Sequence, residues 1–211
     1  MNMGNNQVTV IGKIKSKPVF HHEIYGEKVY EFKVEVKRIS GVADEINVRI
    51  SERLLDKEYD VGDIVKMEGQ YRSYNSLSNG KYHLDLHIFA DSIFRYDGVE
   101  QQDFNSISLT GFICKNPIYR KTPLGREISD LIIAVNREYN KSDYIPIILW
   151  GRNALYAQKL NVGDKVKICG RIQSREYQKT TENGEEITKT AYEISGNTIE
   201  FLDKNNLDTE E

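Results

Sequence analysis

Aromatic and cationic side chains alternate with apolar ones along two stretches in the second half of this 211-residue chain. Between residues 143 and 150, Tyr144 and Trp150 share one parity, and a strand would set them about 20 Å apart. The second stretch places cations and a ring on one parity, with no carboxylate among them: Lys165, Lys167, Arg171, Arg175 and Tyr177. Exposed rings stack on unpaired bases at about 1–3 kcal/mol each, and Lys and Arg contact phosphates. The pattern predicts a surface for single-stranded nucleic acid, although rings and charges are also common on ordinary solvent-facing strands.

Both stretches belong to the second copy of an internal repeat, and the repeat decides the predicted architecture. Residues 99 positions apart match in type along the first part of each copy: Gly12 and Gly111, Pro18 and Pro117, and Arg38 and Arg137. Beyond residue 60 the offset is 101, so that Gly62 matches Gly163. We therefore predict a first domain over residues 1–96, a second domain over 105–202 and a short acidic tail over 203–211.

A hydrophobic period of two dominates each copy and indicates strands. We predict five strands in each copy, at 7–15, 28–38, 45–51, 63–73 and 81–94, and at 106–114, 126–137, 143–150, 164–177 and 187–201. A short helical segment follows the third strand in both copies, at 52–58 and 152–160. Five strands with a helix after the third are typical of the OB-fold, a Greek-key barrel that often binds oligonucleotides. The prediction is an all-β protein made of two tandem OB-fold five-stranded Greek-key barrels.

The first copy lacks the rings of the second. Where the second copy has Tyr139, Tyr144, Trp150 and Tyr177, the first has Ser40, Glu45, Ser51 and Ser76. Residues 1–100 contain 14 Lys and Arg against 16 Asp and Glu, whereas residues 101–202 contain 14 against 12. Selection for folding alone gives no reason for this difference. We therefore expect the second domain to bind nucleic acid and the degenerate first domain to be mainly structural.

Short motifs cover nearly the whole second copy in a specific order and spacing: Leu109-Thr-Gly111, Asn116-Pro117, Leu124-Gly125-Arg126, Ala134-Val-Asn-Arg137, Tyr144 through Arg152, Ala154 through Leu160, Val162-Gly163-Asp164 and Cys169-Gly170-Arg171. In this combination the copy resembles the bacterial single-stranded DNA-binding protein family. The resemblance implies an OB-fold that binds single-stranded DNA without base specificity and protects it during replication, repair and recombination. It implies no catalysis and no cofactor.

The resemblance also points to individual site residues. The family's base-stacking positions are all aromatic here: Tyr139, Tyr144, Trp150 and Tyr177. Phosphate contacts are expected from cations beside them: Arg137, Arg152, Lys165, Lys167, Arg171 and Arg175. Parity alone does not turn Arg137 and Tyr139 outward, since they share the phase of Leu131, Ile133 and Val135. For those two residues the assignment depends on the resemblance and on a bend at the end of the strand.

The first copy resembles the family more weakly, through Val10-Ile-Gly12, Lys17-Pro18, Val61-Gly62-Asp63 and Glu68-Gly69. Some lineages of the family carry two OB domains per chain and dimerise, so by analogy we expect a homodimer with four OB domains. Residual strand contacts of the first copy would come from Tyr71, Tyr74 or Lys66. The tail is acidic but short, and it does not end in the family's Pro-Phe pair. We therefore expect little recruitment of partner enzymes through it. A plasmid, phage, mobile-element or accessory role is then open.

Composition and residue spacing exclude several other classes of protein. The net charge of −3 is incompatible with a uniformly basic chain but not with a local basic groove. No apolar run approaches the roughly 18 residues of a membrane span, and the start shows no secretory signal, so we expect a cytoplasmic, nucleoid-associated protein. Cys114 and Cys169 are expected to be reduced thiols. His83 and His87 are expected to face solvent, and no metal-ligand spacing is present.

Two functions from other classes are alternatives to DNA binding. A metal-dependent nuclease would need carboxylates converging on the free face, and the outer rows of the third and fourth strands of the second copy have none. A protein–protein adaptor of a replication or mobile-element complex would show an apolar outer face without cations, which the first copy approaches. RNA stays open as a ligand, because ring stacking accepts either sugar.

Overall fold

Twelve β-strands follow one another in the computed structural model, which describes residues 4–55, 58–78, 80–98, 103–180, 184 and 186–202. The first six strands are β1 (Asn6–Ile14), β2 (Val19–Ile24), β3 (Glu27–Lys37), β4 (Ala43–Ser51), β5 (Ile64–Ser78) and β6 (Lys81–Arg95). The second six are β7 (Phe104–Ile113), β8 (Ile118–Lys121), β9 (Glu127–Arg137), β10 (Lys141–Trp150), β11 (Lys165–Thr180) and β12 (Glu186–Phe201). The prediction of an all-β protein is confirmed.

Each half of the chain closes into a barrel because its first strand pairs with two others. β1 pairs with β5 and, near its end, with β3, which completes the ring β1-β5-β6-β4-β3. β7 pairs in the same way with β11 and β9 and completes the ring β7-β11-β12-β10-β9. Strand alternation sends every second side chain inward, where Val10, Phe32, Leu109 and Ile168 are buried. These two closed strand orders agree with the predicted pair of OB-fold barrels.

A glycine beside a β-bulge in each barrel lies where two strands come too close for any side chain. Gly69 on β5 and Gly170 on β11 sit beside register shifts, at which β6 and β12 each carry one extra residue. A Cβ at Gly69 would lie 2.2 Å from the carbonyl oxygen of Phe89, and a Cβ at Gly170 would lie 2.2 Å from that of Ser195. The same steric requirement therefore recurs at the same place in both copies.

Each barrel also has one short strand that was not predicted. β2 and β8 pair with β3 and β9 and form the two ends of the sheet. Most of their side chains are exposed, so no alternation of apolar and polar residues marks them in the sequence. The loop expected between the first two strands of each copy is therefore partly an edge strand.

The helical segments are shorter than predicted. A 3-10 turn at Glu52–Leu54 stands in place of the helix expected over 52–58, and residues 56 and 57 lie outside the described residues. In the second barrel α1 (Arg152–Ala157) ends before residue 160, and its Ala154 and Ala157 are buried. Within the described ranges, no helix is long and apolar enough to cross a membrane.

The two barrels join edge to edge along β1 and β7. These strands pair antiparallel from Asn6 opposite Leu109 to Ile11 opposite Phe104. A central six-stranded segment, β6-β5-β1-β7-β11-β12, therefore runs without a break through both barrels. The backbone hydrogen bonds between β1 and β7 make the two halves one connected sheet.

A buried carboxylate of the first barrel also reaches across the junction. Asp44 is 1% exposed, and its Oδ1 accepts a hydrogen bond from the backbone N–H of Ser174 on β11 at 2.7 Å. Its Oδ2 accepts a hydrogen bond from Nε of Arg38 at 2.7 Å. Arg38 of the same barrel thus balances the charge of Asp44, while the hydrogen bond from Ser174 connects its carboxylate to the second barrel.

The second barrel repeats this arrangement in the opposite direction. Asp143, also 1% exposed, accepts a hydrogen bond from the backbone N–H of Ser73 on β5 at 2.9 Å. Nε of Arg137 lies 3.7 Å from the other oxygen of Asp143. The two sets of residues occupy matching positions of the repeat, so the junction has a near two-fold relation. We refer to Asp44 and Asp143, with their serine and arginine partners, as the crossed latch.

The two cysteines are free thiols, as expected. Cys169 on β11 lies opposite Ser108 of β7, whereas Cys114 follows the end of β7. The strand register therefore keeps the two sulfur atoms apart. Burial raises the pKa of the Cys114 thiol above its usual value.

Candidate nucleic-acid interface

β10 carries an exposed ring at each end of its outer row. The alternate residues Ile145, Ile147 and Leu149 are buried inside the second barrel, which turns Tyr144 and Trp150 outward. Tyr144 is 47% exposed and Trp150 is 37% exposed. The strand thus presents both rings to solvent, as its parity predicts.

A hydrogen bond fixes the indole of Trp150. Its Nε1 donates to Oγ of Ser195 on β12 at 3.1 Å, and Ser195 is itself buried. Because the N–H is satisfied within the protein, a base can cover the ring without leaving that polar group unpaired. Ser195 was not predicted from the sequence. It arrives through the parallel pairing of β10 with β12, which periodicity does not reveal.

Tyr139 and Tyr177 are also exposed, but by different routes. Tyr139 follows β9 in a turn where it and Asn140 have positive φ angles of 61° and 54°. This left-handed turn ends the alternation of β9, so Tyr139 leaves the buried phase of Val135 and is 90% exposed. Tyr177 lies on the extended part of β11, opposite Lys189, and is 38% exposed. The expected bend is present, and all four predicted rings are accessible.

The ring row of β10 and the cation row of β11 are not on adjacent strands. β12 lies between β10 and β11 in the sheet. Its Ser195 connects the two rows, because it holds Trp150 and lies opposite Arg171. β12 also contributes Glu193, whose Oε1 is 3.9 Å from Nε of Arg175. β12, which corresponds to the fifth predicted strand, therefore places the carboxylate of Glu193 on this face. The outer rows of β10 and β11 alone have no carboxylate.

Three of the predicted phosphate contacts lie close to the rings in the fold. Arg152 is exposed and begins α1, two residues after Trp150. The side chain of Arg175 is 57% exposed. Nε of Arg171 is buried and has no hydrogen-bond partner among the described residues.

The other three predicted cations are placed less directly. Lys165 and Lys167 are half-buried in the part of β11 that pairs with β7. Arg137 lies beside the latch carboxylate Asp143, so part of its charge is already balanced within the protein. Phosphate contacts from these residues stay predictions.

The corresponding face of the first barrel carries a charged network where the second has its rings. Arg49 occupies the position that matches Ile148, and its side chain is 7% exposed. It pairs with Glu31 at 2.9 Å and with Asp85, and it donates to Nδ1 of His87 at 3.2 Å. Its positive charge is therefore taken up by neighbouring acids instead of being offered to a phosphate.

His87 is buried, so the expectation that it faces solvent together with His83 is wrong. The reason is that Arg49 and Asp85 pack beside it on the outer face of the first barrel. Burial, with the nearby charge of Arg49, lowers the pKa of His87 below its usual value of 6.5. His83 is exposed, as expected. Within the described ranges no group of three His, Cys, Asp or Glu could hold a metal ion.

Tyr71 belongs to the core of the first barrel and is fully buried, which contradicts its suggested role as a residual strand contact. It shares the inward parity of Met67 on β5, so its ring fills the barrel. Lys66 forms an ion pair with Glu68 at 2.8 Å. Among the three suggested contacts, Tyr74 is the ring that reaches solvent, at 60% exposure.

The strand order and the exposed rings define a tandem OB-fold protein whose second barrel carries an aromatic outer face. A model of the Single-strand binding protein family matches residues 104–202, which span the second barrel. Single-stranded DNA-binding protein B of Bacillus subtilis (strain 168) is 34% identical over 110 residues, which is 47% of this chain and 91% of that protein. The chain belongs to the single-strand binding protein family, so the predicted resemblance is confirmed.

Further comparisons extend the likeness to the whole chain. Single-stranded DNA-binding protein 1 of Clostridium acetobutylicum is 34% identical over 107 residues, covering 47% of this chain and 94% of that protein. The crystal structure of wild-type single-stranded DNA binding protein from Thermus aquaticus superimposes with a TM-score of 0.76 at 19% identity, covering 95% of this chain and 94% of that chain. At this identity the superposition shows a shared fold. The family consists of non-enzymatic DNA-binding proteins, in agreement with the prediction that the chain is not an enzyme.

Proposed function

We propose that the chain binds single-stranded DNA without sequence preference and protects it during replication, repair and recombination. The observation that carries the proposal is that four rings are exposed on the second barrel, at Tyr139, Tyr144, Trp150 and Tyr177. Each ring offers about 1–3 kcal/mol of stacking to a base of any type, which explains binding without sequence preference. The cations beside the rings hold the phosphates, with Arg152, Arg171 and Arg175 best placed to do so.

The first barrel has a structural role in this proposal. Its positions equivalent to the rings hold Ser40, Glu45, Ser51 and Ser76. The network around Arg49 neutralises the charge that a phosphate would need. The same network argues against the adaptor alternative, since it places ionised groups where an apolar docking face would be required.

Titration with oligo-dT tests the proposal through Trp150, the single tryptophan of the chain. Bases that stack on the indole are expected to quench its fluorescence. The affinity is expected to fall as salt rises, with a slope of about −0.7 per phosphate contact in a log–log plot, because each contact releases counterions.

Duplex DNA of the same length is the negative control, because paired bases cannot stack on the rings. Oligo-U measures how far the surface discriminates between the two sugars. Duplex binding as tight as oligo-dT binding, without quenching by either, would contradict the proposal.

We also infer that two copies form a homodimer with four OB barrels, through the outer face of β1 and β7 at the centre of the six-stranded segment. The outward residues of β1 from Gln7 to Ile11 and of β7 are uncharged: Gln7, Thr9, Ile11, Phe104, Ser106, Ser108, Thr110 and Phe112. Charges lie on the flanking strands, as in the ion pair of Lys66 with Glu68. The near two-fold relation of the barrels allows this face to meet its own copy.

The mass of the chain in solution tests the dimer. Sedimentation equilibrium is expected to give twice the mass of one chain for the wild-type protein. Arginine at both Thr9 and Ser106, which lie opposite each other in the β1–β7 pairing, is expected to give a monomer, because two charges would be buried in the contact. Ser40→Arg, in an exposed turn of the first barrel, is the matched control and should leave the dimer intact. A monomeric wild-type protein would contradict the inference.

A further inference from the structure

A shallow depression lies between Trp150 and α1, at the end of the predicted ring row of β10. Its lining combines rings, a cation and polar groups: Trp150, Arg152, Asn153, Tyr156, Thr198 and Ile199. No carboxylate takes part in this lining. Tyr156 lies within the helical segment predicted over 152–160, and the residue is 38% exposed at this point.

The walls of the depression are held in place by specific contacts. Nδ2 of Asn153 donates to the backbone oxygen of Asn197 at 2.7 Å, which ties α1 to β12. Asn197 is the extra residue of β12 at the register shift, so its carbonyl is available to a partner outside the ladder. On the other side, the hydrogen bond to Ser195 fixes the indole of Trp150. Each of these two hydrogen bonds holds a side chain that lines the depression.

Arg152 and Tyr156 both line the depression from α1. The two residues are four positions apart on α1, which places them on the same side of the helix. Arg152 is exposed and lies between Trp150 and Tyr156 in sequence. A cation between two rings can hold the phosphate that joins two stacked bases.

We propose that this depression takes one further base of the bound strand, stacked on Tyr156 next to the base on Trp150, with Arg152 at the phosphate between them. The inference builds on the proposed function and adds a fifth ring to the DNA path. The direction of the strand at this end would follow α1.

Binding of an oligo-dT length series by Tyr156→Ala tests the inference. The variant is expected to bind long oligo-dT about fivefold or more weakly than wild type, which corresponds to the loss of one stacked base. In the wild-type protein, affinity should increase when oligo-dT becomes long enough for a nucleotide to reach the depression. The length series of Tyr156→Ala should lack this increase. Tyr156→Phe should recover most of the lost affinity, because it keeps the ring. Tyr156→Gln, which preserves helix propensity, should reproduce the loss and so separates it from unfolding of α1.

The quenching of Trp150 separates this inference from the function on which it rests. Saturating oligo-dT is expected to quench Trp150 in Tyr156→Ala as it does in the wild-type protein, because the neighbouring stack is unchanged. Tyr25→Ala, which removes a fully exposed ring from the first barrel, is the matched control and should bind like wild type. Quenching with unchanged affinity and an unchanged length series in Tyr156→Ala would overturn the further site alone. No quenching in the wild-type protein would overturn the proposed function itself.

Discussion

Alanine at both Tyr144 and Trp150 is expected to weaken the binding of oligo-dT by about thirtyfold or more. Each substitution removes a ring that β10 presents to solvent, and each stacked base contributes about 1–3 kcal/mol. Because the double variant has no tryptophan, the affinity is measured by the fluorescence anisotropy of a labelled oligo-dT. Thermal unfolding of the same variant reports any loss of stability from the missing hydrogen bond to Ser195.

The matched control removes two exposed rings from the first barrel. Tyr25 and Tyr74 are suited to this purpose because both reach solvent, whereas Tyr71 is a core residue whose loss would unfold the barrel. The control pair is expected to weaken binding far less than the pair on β10. If both pairs caused equal losses, the division of roles between the barrels would be wrong.

Asp44→Ala is expected to lower the free energy of unfolding by about 3 kcal/mol, the lower end for breaking a buried ion pair. The substitution leaves the guanidinium of Arg38 without its carboxylate and the backbone N–H of Ser174 without an acceptor. Urea unfolding at neutral pH measures the change through the shift of the midpoint. Asp143→Ala should cost less, because Nε of Arg137 is 3.7 Å from its carboxylate.

Glu45→Ala is the matched control for the crossed latch. Glu45 follows Asp44 on the same strand, but its ion pair with Lys33 is exposed on both sides. Such pairs contribute at most about 1 kcal/mol. A double variant, Arg38→Ala with Asp44→Ala, should recover part of the loss, because it removes the unpaired charge. Equal destabilisation by Asp44→Ala and Glu45→Ala would show that the latch does not stabilise the junction.

The parts of the fold that follow from local pattern were predictable from the sequence. The repeat indicated two barrels, and alternation placed Tyr144 and Trp150 on one face of their strand. These predictions succeed because the barrel interior imposes a period of two on each of its central strands. The edge strands β2 and β8 were missed for the same reason, since neither buries a regular row of side chains.

Contacts between residues distant in sequence were beyond such reasoning. Trp150 reaches Ser195 across 45 positions, and Asp44 reaches Ser174 across 130. Each depends on which strands become neighbours, and periodicity carries no information about that choice. A signal for the latch was present, because Arg and Asp recur at matching places in both copies. It could not show that each carboxylate would bind the backbone of the other barrel.

The burial of His87 shows a further limit of reading a strand by its parity. His87 lies on the outer phase of β6, yet Arg49 on the neighbouring strand covers it. Outward parity therefore gives the direction of a side chain and not its exposure. The same distinction separates the accessible Arg152 from Arg137, which a neighbouring carboxylate engages.

The pairing of β1 with β7 within one chain has a consequence for directionality. Identical single-barrel subunits joined about a two-fold axis would offer two equivalent grooves facing opposite ways. In the proposed scheme, the ring-bearing barrel is instead paired with the first barrel of the same chain, which does not bind DNA. A strand of DNA has distinct 5′ and 3′ ends. In this scheme it would meet one binding groove per polypeptide, and the fusion of the two barrels would fix the orientation of that groove.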